Sequence, residues 1–295
     1  MKIISVIGAG TMGNGIAHHF SLFNYSVNLV DINNKFLERA RQTISTNLDR
    51  QVKKEIITQE EKDNSFNNIQ FSTSFENIKE SDLVIEAVTE KADLKKDVLM
   101  DINKYVSGTS IIASNTSSIS ITNLANAISN PERMIGMHFM NPVPVMKLVE
   151  IIRGYQTSEH TLNKIVELTK KIQKAPIIVN DYPGFISNRI LMPMINEAIY
   201  ALYEGVAGVR EIDTIMKLGM AHPMGPLQLA DYIGLDVCLS ILNVLFEGFG
   251  NPKYSACPLL KNMVVAGKLG KKTGEGFYTY GNGSSELTVS YQFLK

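Results

Sequence analysis

The sequence is poor in cysteine, has no excess of either charge and contains no long hydrophobic run. Its 295 residues include two cysteines, Cys238 and Cys257, too few for a disulfide framework or a four-cysteine zinc site. Lys plus Arg and Asp plus Glu number 29 each, so the net charge is zero. A neutral chain disfavours nucleic acid or an anionic membrane surface as its main partner. We therefore expect no nucleic-acid or membrane partner, no metal site and a reducing cytoplasm as the location.

The chain also lacks targeting and membrane-spanning signals. No stretch approaches the roughly 18 uninterrupted apolar residues of a membrane span. The apolar run of the first ten residues breaks at Gly8, so we expect no signal peptide. A length of 295 residues is about two to three times the common domain size of about 100–150 residues. The length therefore predicts two domains.

Hydrophobic patterning divides the chain into two parts. Strand-length apolar runs at residues 3–7, 27–30, 83–88 and 110–113 alternate with helical patterns, which is typical of βαβ units in a parallel sheet. Three more strand-like runs follow at residues 134–138, 146–152 and 176–179, and beyond Asp181 the strand signals disappear until about Gly267. We predict an α/β domain at residues 1–181, an all-helical domain at 182–281 and a C-terminal tail at 282–295.

The sharpest local signal is GAGTMG at residues 8–13, directly after the first strand-like run and before a helical pattern. In a dinucleotide-binding turn, Gly8 permits the tight turn, Gly10 lets the backbone approach a pyrophosphate and Gly13 allows close packing of helix on strand. Asp31 ends the next strand-like run, where an acid binds the adenosine ribose. The residues after Asp31 include no arginine for a 2′-phosphate, which favours NAD over NADP. A glycine-rich structural turn is the alternative.

Two later runs place a histidine opposite a glutamate. If residues 134–138 and 146–152 pair antiparallel about Pro144, His138 and Glu150 face each other, because both lie equally far from Pro144 along the chain. A carboxylate on one imidazole nitrogen fixes the tautomer and supports positive charge when the other nitrogen takes a proton. The pair is a candidate general base, and a surface His–Glu contact on a hairpin is the alternative.

A small polar run, NTSS at residues 115–118, follows the strand-like run at 110–113. Ligands of open α/β sheets bind outside the carboxyl ends of the strands. Hydroxyl groups at that position can hydrogen-bond a substrate oxygen. Capping of a helix that begins near Ile119 is the alternative interpretation.

Six motifs in order resemble the 3-hydroxyacyl-CoA dehydrogenase family, in particular its short-chain members. They are GAGTMG, SNTSS, HFMNPVPVMKLVE, DYPGFISNRILMP, HPMGPLQLADYIGLDV and GKKTGEGFY, spread from about Met1 to Tyr280. The resemblance implies a Rossmann-like NAD-binding domain followed by a helical domain that carries a homodimer interface. It also implies reversible oxidation of an (S)-3-hydroxyacyl-CoA, expected to be 3-hydroxybutyryl-CoA, to the 3-oxoacyl-CoA by NAD.

The resemblance further implies roles for single residues. His138 would be the base that takes the 3-hydroxyl proton, Glu150 its orienting partner, and Ser117 and Asn188 would hold the substrate's oxygens. The implied cofactor-binding residues are Gly8, Gly10, Thr11, Met12, Gly13, Asp31, Glu90, Lys95, Asn141 and Lys272. Lys54 in the helix after Asp31 would meet the CoA phosphates, with Asn47 nearby.

Several alternatives stay open on the sequence alone. A dehydrogenase of free 3-hydroxy acids would use a lysine in place of the His–Glu pair, and a crystallin-like relative would bind NAD without turnover. The mixed-charge run around Lys54 is also typical of a solvated helix face. The tail runs past the family's usual end, and we expect it to be disordered; addition to a sheet edge is the alternative. We expect a stand-alone enzyme, because no hydratase-like segment is appended.

Overall fold

A computed structural model describes residues 1–281 and 287–294. The chain divides into two compact units, Met1–Tyr182 and Pro183–Lys295. The strands of the first unit are β1 (Ile3–Ile7), β2 (Ser26–Val30), β3 (Ile69–Ser72), β4 (Leu83–Glu86), β5 (Ile111–Ser114), β6 (Met134–Phe139), β7 (Leu148–Arg153) and β8 (Ala175–Asn180). Its helices are α1 (Thr11–Leu22), α2 (Asn34–Lys53), α3 (Gln59–Asn67), α4 (Ala92–Tyr105), α5 (Ile121–Ala125) and α6 (Glu159–Lys171).

The eight strands form one sheet in the order β3-β2-β1-β4-β5-β6-β7-β8. Neighbouring strands are parallel from β3 to β6, β7 is antiparallel to β6, and β8 is parallel to β7. The chain runs outward from β1 through β2 to β3 and then returns to the other side of β1 as β4. Such a reversal opens a ligand crevice at the carboxyl ends of the two strands beside it, which here are β1 and β4.

The core of the first unit lies between this sheet and the helices around it. All four residues of β4 and β5 and all six of β6 are buried, as expected for strands covered on both faces. Helix α2 buries Leu37, Ala40, Ile44 and Leu48, a helical spacing of three or four residues. Burial of each leucine or isoleucine contributes roughly 1.5–3 kcal/mol. Helix α1 packs on β6, where the rings of Phe20 and Phe139 meet edge-on at 6.3 Å.

The second unit is helical, with one small addition. Its helices are α7 (Ser187–Tyr203), α8 (Val209–Gly219), α9 (Pro226–Ile233), α10 (Leu235–Phe249) and α11 (Pro258–Val265). Two short strands, β9 (Tyr278–Thr279) and β10 (Thr288–Val289), pair antiparallel. The predicted fold class, a Rossmann-like domain followed by a helical domain, is confirmed. Within the predicted helical domain, residues 182–281, the two-residue strand β9 is a departure from helices alone, and β10 lies in the predicted tail.

The expectation of a disordered tail is wrong for residues 287–294, where the tail forms a strand as in the alternative, but in a separate two-stranded sheet with β9 and not at an edge of the eight-stranded sheet. Thr288 and Val289 pair with Thr279 and Tyr278, and the Ser290 hydroxyl donates to Glu275 Oε1. The ring of Phe293 stacks on Phe277 at 5.7 Å. Alternating apolar side chains give this segment a face to bury, which a disordered end lacks. Residues 282–286 and 295 of the predicted tail lie outside the described residues.

Two further sequence expectations need correction. Strand β3 was not predicted, since its sequence, IQFS, is short and half polar. Lys54, expected within the helix after Asp31, is instead the C-cap residue that follows α2, and Glu55 adopts a φ of 56°, so this region forms two helices. The mixed-charge run around Lys54 is therefore split between a helix end, a turn and α3, and it does not form one helix face.

In the described part of the chain, no single helix is long and apolar enough to cross a membrane. The pair formed by Pro226–Ile233 and Leu235–Phe249 reaches the required length and composition together, but it is bent by 96° at the break.

Candidate active site

The glycine loop brings the end of β1 against the start of α1. Gly8 has a φ of +103°, and a Cβ at this residue would lie 2.7 Å from the carbonyl oxygen of Ala87. A Cβ on Gly13 would lie 1.7 Å from the carbonyl oxygen of Gly8, so both residues must be glycine. Around Gly10, by contrast, no described atom comes within 4 Å of where a Cβ would be. The backbone there is open to a ligand.

The N-terminus of α1 suits an anion. The helix begins at Thr11 with Gly10 as its N-cap, and among the described residues no side chain caps its first N–H groups. Free N–H groups and the positive end of the helix dipole favour phosphate at this position. The loop can therefore hold the pyrophosphate of a dinucleotide.

Asp31 lies beside this loop at the end of β2. Its Oδ2 accepts the N–H of Ala9 at 2.8 Å, and its Oδ1 accepts the N–H of Asn33 at 3.1 Å. A mainly apolar cavity of about 350 Å³ opens next to it, lined by residues that include Val30, Asp31, Phe36, Phe75, Val88, Leu94 and Val98. An apolar slot with the Asp31 carboxylate at the end of β2, and a second carboxylate, Asp101, in its lining, fits an adenosine. The residues present therefore fit NAD.

A second cavity, of about 370 Å³, lies on the other side of the glycine loop. Its lining includes Gly10, Thr11 and Asn14 at the start of α1, Arg39, Thr43 and Asn47 on α2, and Asn141, Pro142, Val143 and Pro144 between β6 and β7. It brings together four of the predicted site residues, namely Gly10, Thr11, Asn47 and Asn141. Lys54 follows Asn47 by seven residues, or about two helical turns, which places both on one side of α2.

The predicted register of the His–Glu hairpin is confirmed. Strands β6 and β7 pair antiparallel with His138 opposite Glu150. His138 Nδ1 lies 2.8 Å from Glu150 Oε2, and the two residues are 8% and 3% exposed. Because an ionised carboxylate only accepts hydrogen bonds, Nδ1 carries a proton in this pair. The neutral ring then has its basic lone pair on Nε2.

The polar run at residues 115–118 gathers around one carboxylate. Glu90 Oε1 accepts hydrogen bonds from the hydroxyl of Thr116 at 2.6 Å, from the N–H and hydroxyl of Ser117 at 2.8 and 3.1 Å, and from the N–H and hydroxyl of Ser118 at 3.1 and 3.2 Å. Helix capping is performed instead by Ser120, whose hydroxyl oxygen accepts the N–H of Asn123. Glu90 thus fixes the loop that carries Ser117.

Lys95 forms an ion pair with this carboxylate. Its Nζ lies 3.2 Å from Glu90 Oε2 and 2.8 Å from Glu86 Oε1, and it donates to the carbonyl of Val88 at 3.2 Å. Burial raises the pKa of Glu90, but Lys95 and the hydrogen bonds from Thr116 and Ser117 outweigh it and hold that pKa below its usual value. Lys95 is only 1% exposed, so its ammonium is directed at Glu86 and Glu90.

Other predicted residues lie apart from this group. Met12 is partly exposed in the first turn of α1, and Lys54 is exposed at the end of α2. Asn188 and Lys272 belong to the second unit. Asn188 is buried in the first turn of α7, and the exposed Lys272 forms an ion pair with Asp236.

Sequence reasoning missed two charged residues at the site. Glu86 is fully buried and completes the ion pair of Lys95. The signal was an acid inside the otherwise apolar run LVIEAV, since a buried acid is rare without a partner. Lys174 reaches the loop between β6 and β7, and no pattern in the sequence links the two segments.

Family comparisons match nearly the whole chain. Residues 3–182 match the family description "3-hydroxyacyl-CoA dehydrogenase, NAD binding domain", and residues 184–280 match "3-hydroxyacyl-CoA dehydrogenase, C-terminal domain". The glycine loop and the His–Glu hairpin both lie within the first of these matches.

Individual proteins give the same result. The chain is 50% identical over 280 residues to 3-hydroxybutyryl-CoA dehydrogenase of Bradyrhizobium diazoefficiens, covering 95% of this chain and 96% of the relative. It is 46% identical over 277 residues to 3-hydroxybutyryl-CoA dehydrogenase of Clostridioides difficile, covering 94% and 99%. The crystal structure of (S)-3-hydroxybutyryl-CoA dehydrogenase from Ralstonia eutropha is 50% identical, with a TM-score of 0.93 and coverage of 96% and 100%.

Proposed function

The chain belongs to the 3-hydroxyacyl-CoA dehydrogenase family, and we propose that it interconverts (S)-3-hydroxybutyryl-CoA and acetoacetyl-CoA with NAD. The observation that carries this proposal is the buried pair of His138 and Glu150, 2.8 Å apart, in a unit whose glycine loop fits a dinucleotide. The names of relatives that are 46–50% identical support the four-carbon thioester as substrate.

We assign the cofactor to the crevice at the ends of β1 and β4. The N–H groups at Gly10 and Thr11 would hold the pyrophosphate, and Asp31 the adenosine ribose. Asn141, Met12 and Lys272 would contact the cofactor elsewhere, while Glu90 and Lys95 would shape the loop beside it. When bound, NAD would supply the hydride acceptor for C3 of the hydroxyacyl group.

His138 would act as the general base. Its Nε2 takes the proton of the 3-hydroxyl group, so that the oxygen does not carry a full negative charge. The Nδ1–H bond to Glu150 keeps the ring in the tautomer whose basic lone pair is on Nε2, and the carboxylate stabilises the positive charge that results. Positioned acid–base catalysis of this kind accelerates a reaction about 10²–10⁴-fold.

The remaining assignments concern the thioester and the assembly. Ser117 and Asn188 would hold the substrate's oxygens, and Asn47 and Lys54 the CoA moiety. The second unit would carry a homodimer interface. Cys238 and Cys257 are buried and unpaired with each other, in keeping with a reducing cytoplasm.

The substrate assignment is tested by NADH consumption with acetoacetyl-CoA and with acetoacetate at equal concentrations. We expect turnover of the thioester and little turnover of the free acid, because the acid lacks the CoA moiety that binds Asn47 and Lys54. We also expect NADPH to replace NADH poorly, since Asp31 repels a 2′-phosphate. Equal rates with acetoacetyl-CoA and acetoacetate would favour a free-acid dehydrogenase. Binding of NADH without turnover of either compound would favour a non-catalytic relative.

A further inference from the structure

A buried lysine holds the loop that joins β6 to β7. Lys174 follows α6 and precedes β8, and it is only 6% exposed. Its Nζ donates hydrogen bonds to two carbonyl oxygens of this loop, those of Val143 and, at 2.6 Å, Met146. Among the described residues Lys174 forms no salt bridge. Burial of an ammonium is costly unless it is hydrogen-bonded. The two loop carbonyls therefore offset the cost of burying the Lys174 ammonium.

The loop needs such an anchor because of its composition. Pro142 and Pro144 have no N–H to donate, and the N–H groups of Val145 and Met146 both turn back to the carbonyl of Pro142 at 3.0 Å. The loop therefore does not continue the β6–β7 ladder. Its position depends on Lys174 and on the contact of Val143 with α1.

The same loop forms one wall of the second cavity. Asn141 and Val143 face the start of α1 across it, and the side chain of Val143 lies 3.1 Å from where a Cβ on Gly15 would be. Movement of the loop would open this wall beside Gly10 and Thr11. The adenosine cavity around Asp31 contains no residue of this loop in its described lining.

We propose that Lys174 is a positioning residue for NAD, because its ammonium fixes the β6–β7 loop against the N-terminus of α1. The identification of this ligand as NAD rests on the proposed function. The His138–Glu150 pair does not depend on Lys174, since the β6–β7 ladder sets its register. Loss of the ammonium therefore weakens dinucleotide binding at the loop and leaves the adenosine cavity intact.

The test compares two ligands in the full-length protein. In Lys174→Met we expect the dissociation constant of NADH, measured by its fluorescence, to rise on the order of tenfold, the effect of losing a charge-assisted hydrogen bond. The dissociation constant of adenosine, measured by calorimetry, should stay within about twofold, because adenosine fills only the adenosine cavity and has no phosphate to reach Gly10 and Thr11. Lys171→Met is the matched control, as Lys171 is an exposed lysine in the last turn of α6, and it should change neither constant.

A second variant covers the case in which Lys174→Met does not fold. Lys174→Gln keeps N–H donors without the charge, and its NADH affinity should fall between wild type and Lys174→Met. Unchanged NADH affinity in either folded variant, or equal losses of affinity for NADH and adenosine, would overturn the proposal and give Lys174 a general role in stability. A wild-type protein that binds NADH but does not reduce acetoacetyl-CoA would refute the proposed function and leave the role of Lys174 standing.

Discussion

At the scale of single residues, proton placement decides what the site can do. Glu150 accepts from Nδ1 of His138 at 2.8 Å, and the pair is buried, where water competes little for the bond. A carboxylate in this position prevents the ring from presenting an N–H at Nε2 while it is neutral. Glu150 therefore determines which ring nitrogen of His138 can accept a proton.

Replacement of His138 tests this placement directly. His138→Ala should lower kcat for acetoacetyl-CoA reduction by about 10²–10⁴-fold, the usual contribution of a general acid–base. The NADH dissociation constant should stay unchanged, because the residue does not line the dinucleotide cavities. His160→Ala is the control, since His160 is exposed in the first turn of α6. A folded His138→Ala protein with wild-type kcat would contradict the assignment.

Residue pairs were predictable where the chain between them is short. His138 and Glu150 could be paired from the sequence because the proline loop sets their register. The contacts of Lys95 with Glu86 and of Lys174 with Val143 join separate elements, and their geometry depends on how the sheet assembles. No local pattern encodes such contacts, although a buried charge in an apolar run indicates that a partner exists.

At the scale of elements, the inner strands of the sheet and the edge strand β8 were predicted from their apolar runs, whereas the other edge strand, β3, was not. Strands β1, β2, β4 and β5 lie inside the sheet and are mostly apolar, whereas β3 at the sheet edge is half polar, with Gln70 and Ser72, and has a single neighbour. The break between α2 and α3 was equally hidden, because the residues around Lys54 are as polar as the helices on either side. Burial on two faces leaves a stronger sequence signature than burial on one.

The C-terminal tail shows what an edge element contributes. Phe293 packs its ring on Phe277, which is fully buried, and an aromatic pair adds about 0.5–1.5 kcal/mol beyond its buried area. Phe293→Ala should lower the free energy of unfolding of the second unit by about 1–3 kcal/mol, measured by urea unfolding. Tyr291→Ala, in the same short helix but 87% exposed, should change it little. Equal effects of the two variants would mean that the tail does not pack as described.

At the scale of the whole molecule, the two units respond oppositely to acid. In the first unit, burial lowers the pKa of His18 and of His19 from 6.5 to about 4. The unfolded chain binds these protons first, so the stability they confer is complete above pH 6.5 and is lost as the pH falls through 4. In the second unit, burial raises the pKa of Asp231 from 3.8 to about 6. Its stabilising contribution is complete below pH 3.8 and is lost as the pH rises through 6.

Because the stabilities of the two units change in opposite directions with pH, the unit that unfolds more readily should depend on pH. A shift of more than two pKa units corresponds to about 3 kcal/mol, so acidification from pH 7 to pH 4.5 should weaken the first unit and strengthen the second. Hydrogen–deuterium exchange, corrected for the intrinsic effect of pH, should show peptides of α1 losing protection while peptides of α9 gain it. His18→Leu should reduce the loss in α1, because leucine fills a buried site without titrating, whereas His160→Leu on the surface should not. Parallel changes in α1 and α9 would show that other groups govern the acid response.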